Sequence, residues 1–262
     1  MSLKHFLTTS LLWISLSAGV VAQTPVADTI ATQSVLSPAQ KFSTDEKPKT
    51  KHYLKRAVLP SAILIAAGIA TIKDNGFYSS YDASRDARKA FPNFSTKVDD
   101  YLFFVPIVGL YGFTAFSPEN KHDIRRQTGL LLTSGALTTL VIYPTKIWTG
   151  QERPNGLPRA FPSGHTAYAF TIATIVDKEF RHKSKWISIG SYTIASATGV
   201  MRVLNNEHWM ADVLAGAGIG ILSVNTVYFL HDRLVRNKGL NASVSPTVLP
   251  NGQLGLGMGL QF

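Results

Sequence analysis

Apolar residues are gathered into six blocks that polar segments separate. The blocks lie at 57–72, 101–116, 127–143, 163–176, 186–201 and 213–230. None of them alternates apolar and polar residues as a half-buried strand does, so we interpret each block as a helix. Small residues recur every four positions, as at Ser191, Ala195 and Gly199, which favours the close helix contacts of membrane proteins. The pattern predicts an all-α, membrane-embedded bundle of about six helices.

The length of the blocks leaves an alternative open. Each block has 14–18 residues, fewer than the ~20 that cross a bilayer comfortably. A secreted soluble helical bundle is therefore the competing interpretation. Several blocks carry no charge on any face, whereas a helix at a protein surface in water needs a polar face. This absence favours the membrane bundle.

The segments before the bundle have the pattern of a leader and a linker. Lys4 precedes an apolar stretch at 6–21, and small residues at 20–22 precede Gln23. This order predicts a secretory signal peptide at 1–22, with an uncleaved anchor helix as the alternative. Residues 23–56 are polar, show no apolar period and end in a basic run. They predict a flexible linker before a helical domain at 57–238.

The tail at 239–262 changes period. Leucine and methionine alternate with glycine from Leu254 to Leu260, and Asn251-Gly252 precedes them. Asn-Gly ahead of an alternating run is a strong hairpin signal. The tail therefore predicts a small β-hairpin, with a loose surface tail as the alternative.

Composition narrows the classes of function. The chain has no cysteine, which excludes disulfides, zinc-thiolate sites, iron–sulfur clusters and a cysteine nucleophile. Its formal net charge is +10, yet only 16% of its residues are charged. An average soluble domain has about 25%. Few charges with a basic excess favour a membrane protein, or a site for anionic substrates, over a surface that binds nucleic acid.

Three polar motifs adjoin the ends of the predicted helices. Lys146 is followed by Arg153-Pro154, the second motif is Pro-Ser-Gly-His at 162–165, and the third runs from Arg202 to Asp212 through His208. In an up-and-down bundle, the end of one helix lies beside the start of the next. We therefore expect the three motifs to share one face of the bundle.

These residue types suit phosphoryl transfer. Lys146, Arg153 and Arg202 supply cations for phosphate oxygens, and Ser163 with Gly164 starts a helix, where free N–H groups attract an anion. His208 and Asp212 are four residues apart on the expected helix, so the carboxylate can orient the imidazole as a nucleophile. His165 is then available to protonate the leaving oxygen. A phosphohistidine intermediate uses all of these groups.

The three motifs resemble those of the type 2 phosphatidic acid phosphatases, which share their site with the vanadium haloperoxidases. The family pattern is Lys-x6-Arg-Pro, Pro-Ser-Gly-His and Ser-Arg-x5-His-x3-Asp, and only Met201, at the position of the third motif's Ser, departs from it. The resemblance covers about residues 99–232. It implies that His208 is the nucleophile, Asp212 its partner and His165 the acid. It also implies that Lys146, Arg153, Ser163, Gly164 and Arg202 bind phosphate, and that no metal or cofactor is needed.

By resemblance, the expected activity is hydrolysis of an anionic lipid phosphate: phosphatidate, phosphatidylglycerol phosphate, an isoprenyl diphosphate or lipid A. A secreted soluble acid phosphatase with the same site is the enzymatic alternative, and a haloperoxidase is less favoured. A non-enzymatic membrane scaffold with a vestigial site is disfavoured because both histidines and Asp212 are intact. The motifs indicate neither the lipid nor the oligomeric state. Headgroup contacts are expected in loops such as 73–100.

The charges of the loops indicate how the chain is oriented in the membrane. The loops on the side away from the motifs carry ten Lys and Arg residues, and those on the motif side carry nine. Three of the nine are the expected phosphate ligands, and setting them aside leaves six. By the positive-inside rule, we expect an inner-membrane protein whose site faces the periplasm. Six full spans after a cleaved leader would place the motifs inside. Either 57–72, which contains Pro60, does not cross or the signal is not translocated, and we favour the first.

Two smaller expectations concern single residues. Gly216 and Gly220 continue the ridge of His208 and Asp212 in four-residue steps, so we expect them to bring a neighbouring helix close to the nucleophile. His122, like the other histidines outside the motifs, is interpreted as a solvated loop residue.

Overall fold

The computed structural model describes residues 53–74, 77–116, 121–238, 241–248 and 254–261. The predicted signal peptide at 1–22 lies outside the described residues, as does the linker up to residue 52. Both stay predictions. The last residues of the expected linker, 54–56, belong to a π-helical turn, Leu54–Val58, that leads into the first α-helix.

Each of the six apolar blocks is helical, as predicted. The described helices are α1 (Leu59–Ala70), α2 (Ser80–Ala90), α3 (Val98–Leu102), α4 (Val105–Phe116), α5 (Ile124–Thr149), α6 (Gly164–Phe180), α7 (Lys185–Leu204) and α8 (Met210–Lys238). The blocks did not predict α2, which lies within 73–100, where we expected a loop. They also did not predict α3, which starts in the same segment and ends at Leu102. Ser79 begins α2 with a capping box, in which its hydroxyl and the Asp82 carboxylate each accept the other residue's backbone N–H.

The predicted end of the helix at 127–143, which is α5 in the structure, was wrong. The apolar block stops before Pro144, but α5 continues for six residues beyond 143. The hydroxyls of Thr145 and Thr149 donate to the carbonyls four residues earlier, at 2.7 and 2.9 Å. Gly150 then ends the helix in the left-handed conformation, with φ of 57°, which glycine adopts without steric cost. Lys146 therefore lies in the last turn of a helix rather than in a loop.

Small residues allow α6 to pack directly on α8. A Cβ atom at Gly216 would lie 2.6 Å from the Ser163 carbonyl oxygen, and one at Gly220 would lie 2.4 Å from that of Ala167. The other side of α8 receives α1, where a Cβ at Gly218 would lie 2.7 Å from the Ser61 carbonyl oxygen. The expectation for Gly216 and Gly220 is confirmed, and the backbone of α6 touches that of α8.

Long apolar helices have the dimensions of membrane spans. By length and composition, the segments Val98–Phe116, Ile124–Thr149 and Met210–Leu234 can cross a bilayer, whereas α1 is a shorter apolar helix. Large apolar side chains on α5 face outward, among them Leu140, which is 70% exposed, and Trp148, which is 88% exposed. Such a surface suits lipid rather than water. These helices agree with the predicted membrane bundle and disfavour the alternative of a secreted soluble bundle.

The other end of α6 holds a buried polar cluster that corrects the interpretation of His122. Its side chain is only 8% exposed, and its Nδ1 lies 2.8 Å from the Glu179 carboxylate. Tyr228 and Gln127 donate to the same carboxylate, at 2.6 and 3.1 Å. His122 is buried because the segment before α5 folds over this carboxylate, which needs hydrogen-bond donors inside the protein.

The tail forms the predicted hairpin. Strands β1 (Asn241–Val248) and β2 (Leu254–Gln261) pair antiparallel, with Val244 opposite Met258. The alternating sequence therefore adopts the period of a strand, and the hairpin interpretation is confirmed over the loose tail.

We expect Gly220→Ala to destabilise the bundle. The added methyl group has to displace the backbone of α6, and overpacking of this kind costs about 1–3 kcal/mol. The midpoint of thermal unfolding in detergent should fall. The matched control is Gly135→Ala on α5, where an added Cβ meets no atom within 4 Å. The control should keep or slightly raise the midpoint because alanine favours helix, and an equal fall in both variants would contradict the packing argument.

Candidate active site

Four helix ends meet at the candidate site. The last turns of α5 and α7 carry Lys146 and Arg202, and Ser163 and Asp212 lie at the starts of α6 and α8. Backbone bonds join these ends: the Ser163 N–H donates to the Asp212 carbonyl at 2.9 Å, and the His208 N–H donates to that of Arg202 at 3.2 Å. The three motifs therefore lie at one end of the bundle, as the helix order predicts.

His208 and Asp212 form a buried pair. The Nδ1 atom of His208 lies 3.0 Å from Asp212 Oδ2, and the two side chains are 2% and 0% exposed. The expectation that both lie on one helix was wrong, because α8 begins at Met210. His208 lies in the preceding turn, where Asn206 has a φ of 61°. The Trp209 N–H also donates to Asp212 Oδ2, at 2.9 Å, so the carboxylate holds this turn and the imidazole together.

Burial keeps His208 neutral. It lowers the pKa of His208 well below its usual range, and the charges of Lys146 and Arg153 lower that pKa further. A neutral imidazole with Nδ1 held by a carboxylate has Nε2 available as an electron-pair donor. Within the described part of the chain, no hydrogen bond to that Nε2 is formed.

The three expected cations surround the start of α6. Lys146 donates to the carbonyls of Arg159 and Ala160, at 2.9 and 3.1 Å, and its Cε lies 4.0 Å from where a Cβ of Gly164 would be. The Nε atoms of Arg153 and Arg202 are buried and have no hydrogen-bond partner among the described residues. Buried donors of this kind are normally satisfied, so both arginines are ready to bind an acceptor.

A carboxylate bridges the two arginines. Glu207 Oε2 lies 2.6 Å from Arg153 Nη1 and 3.3 Å from Arg202 Nη2. One oxygen thus occupies the position between two guanidinium groups that an anionic ligand would take. Sequence reasoning placed Glu207 inside the third motif but assigned it no part in the site.

Sequence reasoning missed two further carboxylates. Asp99 and Asp100 on α3 both approach Arg202 Nη1, at 2.8 and 3.3 Å. Asp99 is fully buried and also accepts from Asn205, at 2.9 Å. The only signal was an Asp-Asp pair just before an apolar block in a basic chain. That pair is about a hundred residues from Arg202, and its position depends on how α3 packs against α7.

His165 lies between this acidic pair and an aromatic ring. Its Nε2 is 3.3 Å from Asp100 Oδ1, and the Phe103 ring contacts it edge-on, with centroids 5.9 Å apart. Burial and the Arg202 guanidinium lower the pKa of His165, whereas the carboxylate of Asp100 acts in the opposite direction. Asp100 therefore favours the protonated form of this histidine.

Ser163 and Gly164 form the start of α6. The Ser163 hydroxyl caps the helix by accepting from the Thr166 N–H at 3.4 Å, and it is fully buried. The Ser163 N–H is used by Asp212, so the anion-binding donors at this helix start are the N–H groups that follow it. The hydroxyl also lies 3.0 Å from Thr166 Oγ1. Because it caps the helix as an acceptor, its own proton can still be donated to a ligand oxygen.

We expect Asp100→Asn to shift the pH dependence of catalysis. If His165 acts as an acid, kcat/KM falls as pH rises through its pKa. Loss of the carboxylate lowers that pKa, so the alkaline limb should move to lower pH. The measurement is kcat/KM for a lipid phosphate monoester against pH. Asp123→Asn, an exposed change at the start of α5, should leave the limb in place, and a move to higher pH would contradict the role of Asp100.

Comparisons with known proteins agree with the motifs. Residues 143–236 match the family model of the PAP2 superfamily. The lipid A 1-phosphatase of Porphyromonas gingivalis is 30% identical over 243 residues, which cover 90% of this chain and 53% of that protein. The chain thus spans about half the length of this relative. The bacitracin transport permease protein BcrC of Bacillus licheniformis is 32% identical over 78 residues, 30% of this chain and 36% of that protein.

A solved structure shares the fold. The crystal structure of a PAP2-type phosphatidylglycerolphosphate phosphatase from Bacillus subtilis superposes with a TM-score of 0.50 and 19% identity. The match covers 69% of this chain and 98% of that one. At this level of identity the likeness concerns the arrangement of helices alone.

Proposed function

We propose that this chain, whose residues 143–236 match the family model of the PAP2 superfamily, is a phosphatase that hydrolyses lipid phosphates through a phosphohistidine on His208. The observation that carries the proposal is the buried pair of His208 and Asp212, 3.0 Å apart. This pair lies beside two arginines whose buried Nε donors have no partner among the described residues. A nucleophile and an anion site are thus next to each other.

The first proposed step forms a covalent intermediate. His208 Nε2 attacks phosphorus, and the bond between phosphorus and the leaving oxygen breaks. The electron pair of that bond goes to the leaving oxygen, which takes a proton from His165. Asp212 holds Nδ1–H and stabilises the positive charge that develops on the imidazole.

The second step reverses these roles. Water attacks the phosphohistidine and gives its proton to His165, now the base, and the bond between Nε2 and phosphorus breaks. Inorganic phosphate leaves, and both histidines return to their first state. Lys146, Arg153 and Arg202 stabilise the charge on the phosphoryl oxygens in both steps.

Phosphate binding requires an exchange of partners at Glu207. In the described arrangement, Glu207 Oε2 contacts both Arg153 and Arg202. A phosphoryl group offers three oxygens to the same donors, and bidentate Arg–phosphate pairs are among the strong hydrogen bonds in proteins. We propose that the phosphoryl group takes over these donors and that Glu207 turns toward solvent, since its side chain is already 30% exposed.

The substrate class follows from the surface around the site. Apolar side chains at the site end of α5 are exposed, such as Tyr143 and Trp148, at 59% and 88%. This surface can bind the acyl part of a substrate while its phosphate reaches the cations. The relative with 30% identity acts on lipid A, so lipid A 1-phosphate is the first substrate to test. Phosphatidate, phosphatidylglycerol phosphate and isoprenyl diphosphates remain alternatives.

We further propose an inner-membrane location with the site facing the periplasm. The start of α5, the end of α6 and the start of α7 lie at the end of the bundle opposite the site. The loops at that end hold the larger share of Lys and Arg residues. We propose that α1, an apolar helix of 12 residues, does not cross the membrane, because a cleaved leader with the site outside requires this. The alternative of a secreted soluble acid phosphatase is disfavoured by three helices that are long and apolar enough to span a membrane.

We expect activity to survive EDTA and to be blocked by vanadate. Lys146, Arg153 and Arg202 supply the charge that a metal would otherwise supply, and vanadate imitates the five-coordinate phosphorus that these groups bind. The measurement is phosphate release from lipid A 1-phosphate by the purified protein. Adding magnesium after EDTA is the control and should change nothing. Loss of activity in EDTA with recovery in magnesium would overturn the mechanism.

A further inference from the structure

A surface groove lies away from the candidate active site. It has a volume of about 530 Å³ and runs along one face of α7. Arg181 and Lys185 line the part of the groove nearest the start of α7, here called its mouth, and Ser188, Ile189 and Tyr192 line it further along the helix. Apart from Arg181, at the end of α6, these residues are spaced three or four apart, as one face of a helix requires.

The groove cannot serve the candidate active site. Ser163 caps the start of α6 and Arg181 caps its end, and 17 helical residues span about 25 Å. Along α7, Lys185 to Ser196 spans about 16 Å, roughly half of the ~30 Å apolar layer of a bilayer. The groove therefore has the depth of one leaflet, at the end of the bundle opposite the site.

Charge at the mouth favours an anion. Arg181 is bound through Nε to Asp177 Oδ1 at 2.6 Å, which orients the guanidinium and leaves its two terminal nitrogens for a ligand. Lys185 has no ion-pair partner within the part of the chain that the structure describes, and its Nζ lies 5.6 Å from the centre of the Trp186 ring. That ring is 69% exposed, as is common for tryptophan at the membrane–water interface.

Two hydroxyl groups among the lining residues are not available to a ligand. Ser188 is 4% exposed, and its Oγ is buried without a hydrogen-bond partner among the described residues. The Tyr192 hydroxyl donates to Thr174 at 3.1 Å, so the tyrosine offers the groove its ring. The groove therefore offers a ligand two cations and an apolar wall.

We propose that this groove binds an anionic phospholipid from the leaflet opposite the candidate active site. Its phosphate lies on Arg181 and Lys185, and an acyl chain packs against Ile189 and Tyr192. The lipid is held and is not hydrolysed there, because its phosphate lies about 25 Å from the His208 end. A zwitterionic lipid offers the same acyl chain and ester but has no net charge for the two cations.

The test counts lipids that stay bound to the purified protein in detergent. Dioleoylphosphatidylglycerol and dioleoylphosphatidylcholine are titrated separately and the bound molecules are counted by native mass spectrometry. The wild-type protein should prefer phosphatidylglycerol. Removal of two interfacial cations in R181Q/K185Q should weaken phosphatidylglycerol binding by about thirtyfold, at about five- to sixfold per cation. Ser196→Trp, at an exposed position on the groove, should weaken binding of both lipids by filling the groove.

The matched control removes the same charge elsewhere at this end of the bundle. R125Q/R126Q changes two arginines at the start of α5, outside the residues that line the groove, and should keep phosphatidylglycerol binding within about twofold of the wild-type value. Equal binding of the two lipids by the wild-type protein would overturn the proposal. So would an equal loss in both double variants, or a groove occupied by a second copy or by another segment of the chain. Phosphatase activity is not part of the measurement, so its outcome is independent of the proposed function.

Discussion

Replacement of His208 by alanine is expected to lower kcat by roughly 10⁴-fold or more, the scale on which removal of a nucleophile acts in other enzymes. Among the described residues, no other nucleophile is held by a buried carboxylate beside both arginines. The measurements are phosphate release from lipid A 1-phosphate and covalent labelling from a substrate with radioactive phosphate. The labelled protein is denatured in alkaline detergent because a phosphorus–nitrogen bond on histidine survives alkali better than acid.

The control is His231→Ala, which changes a partly buried histidine at the other end of the bundle. It should keep both turnover and the label. His208→Ala also leaves Asp212 without its imidazole partner, so the thermal unfolding midpoint has to be measured beside the rate. A folded His208→Ala protein that keeps activity within tenfold of the wild-type value, or label on another residue, would contradict the assignment of the nucleophile.

Replacement of His165 by alanine is expected to change the substrate dependence of the rate. A lipid alkoxide needs a proton in order to leave, whereas the phenolate of an activated aryl phosphate does not. The ratio of lipid-monoester to aryl-ester activity should therefore fall by more than about tenfold, since acid catalysis is typically worth 10²–10⁴. The measurement is kcat/KM for both substrates with the same enzyme preparation.

The matched variant for this test is Asp212→Asn. It disturbs the tautomer of His208 and so acts on the attacking group, which both substrates share. It should slow both reactions by a similar factor and leave the ratio near its wild-type value. If His165→Ala slowed both substrates equally, His165 would be a binding residue and the acid would have to be sought elsewhere.

The carboxylates around the site change how its charge is understood. The sequence predicted three cations that bind the phosphate and assigned no carboxylate to them. In the structure, Arg153 and Arg202 share Glu207, and Arg202 also contacts Asp99. In the free site, carboxylates therefore largely balance the charges of the two arginines, and a phosphate has to replace Glu207. The binding free energy of the substrate is then a difference between two ionic arrangements rather than the attraction of three free cations.

The sequence alone predicted the helices and the place where they would meet. Apolar blocks of 14–18 residues without alternation have one stable arrangement, in which the backbone satisfies its own hydrogen bonds. The order of the motifs along such helices puts Lys146, Ser163, Arg202 and Asp212 at one end. The packing role of Gly216 and Gly220 was also predictable, because glycines at four-residue spacing lie on one face of a helix. The alternating tail predicted its hairpin for the same local reason.

What only the tertiary structure decided depends on contacts between residues far apart in sequence. Asp99 and Asp100 reach Arg202 and His165 because the short helix α3 packs against α7, and no local pattern encodes that distance. The burial of His122 follows from Glu179 and Tyr228, which lie on two other helices. The sequence also did not predict where the helices end. α5 continues beyond Pro144 because the hydroxyls of Thr145 and Thr149 donate to helix carbonyls, and Gly150 then ends it. Periodicity fixes which residues share a face, whereas the partner of each polar group depends on which faces meet, and this is a property of the folded chain alone.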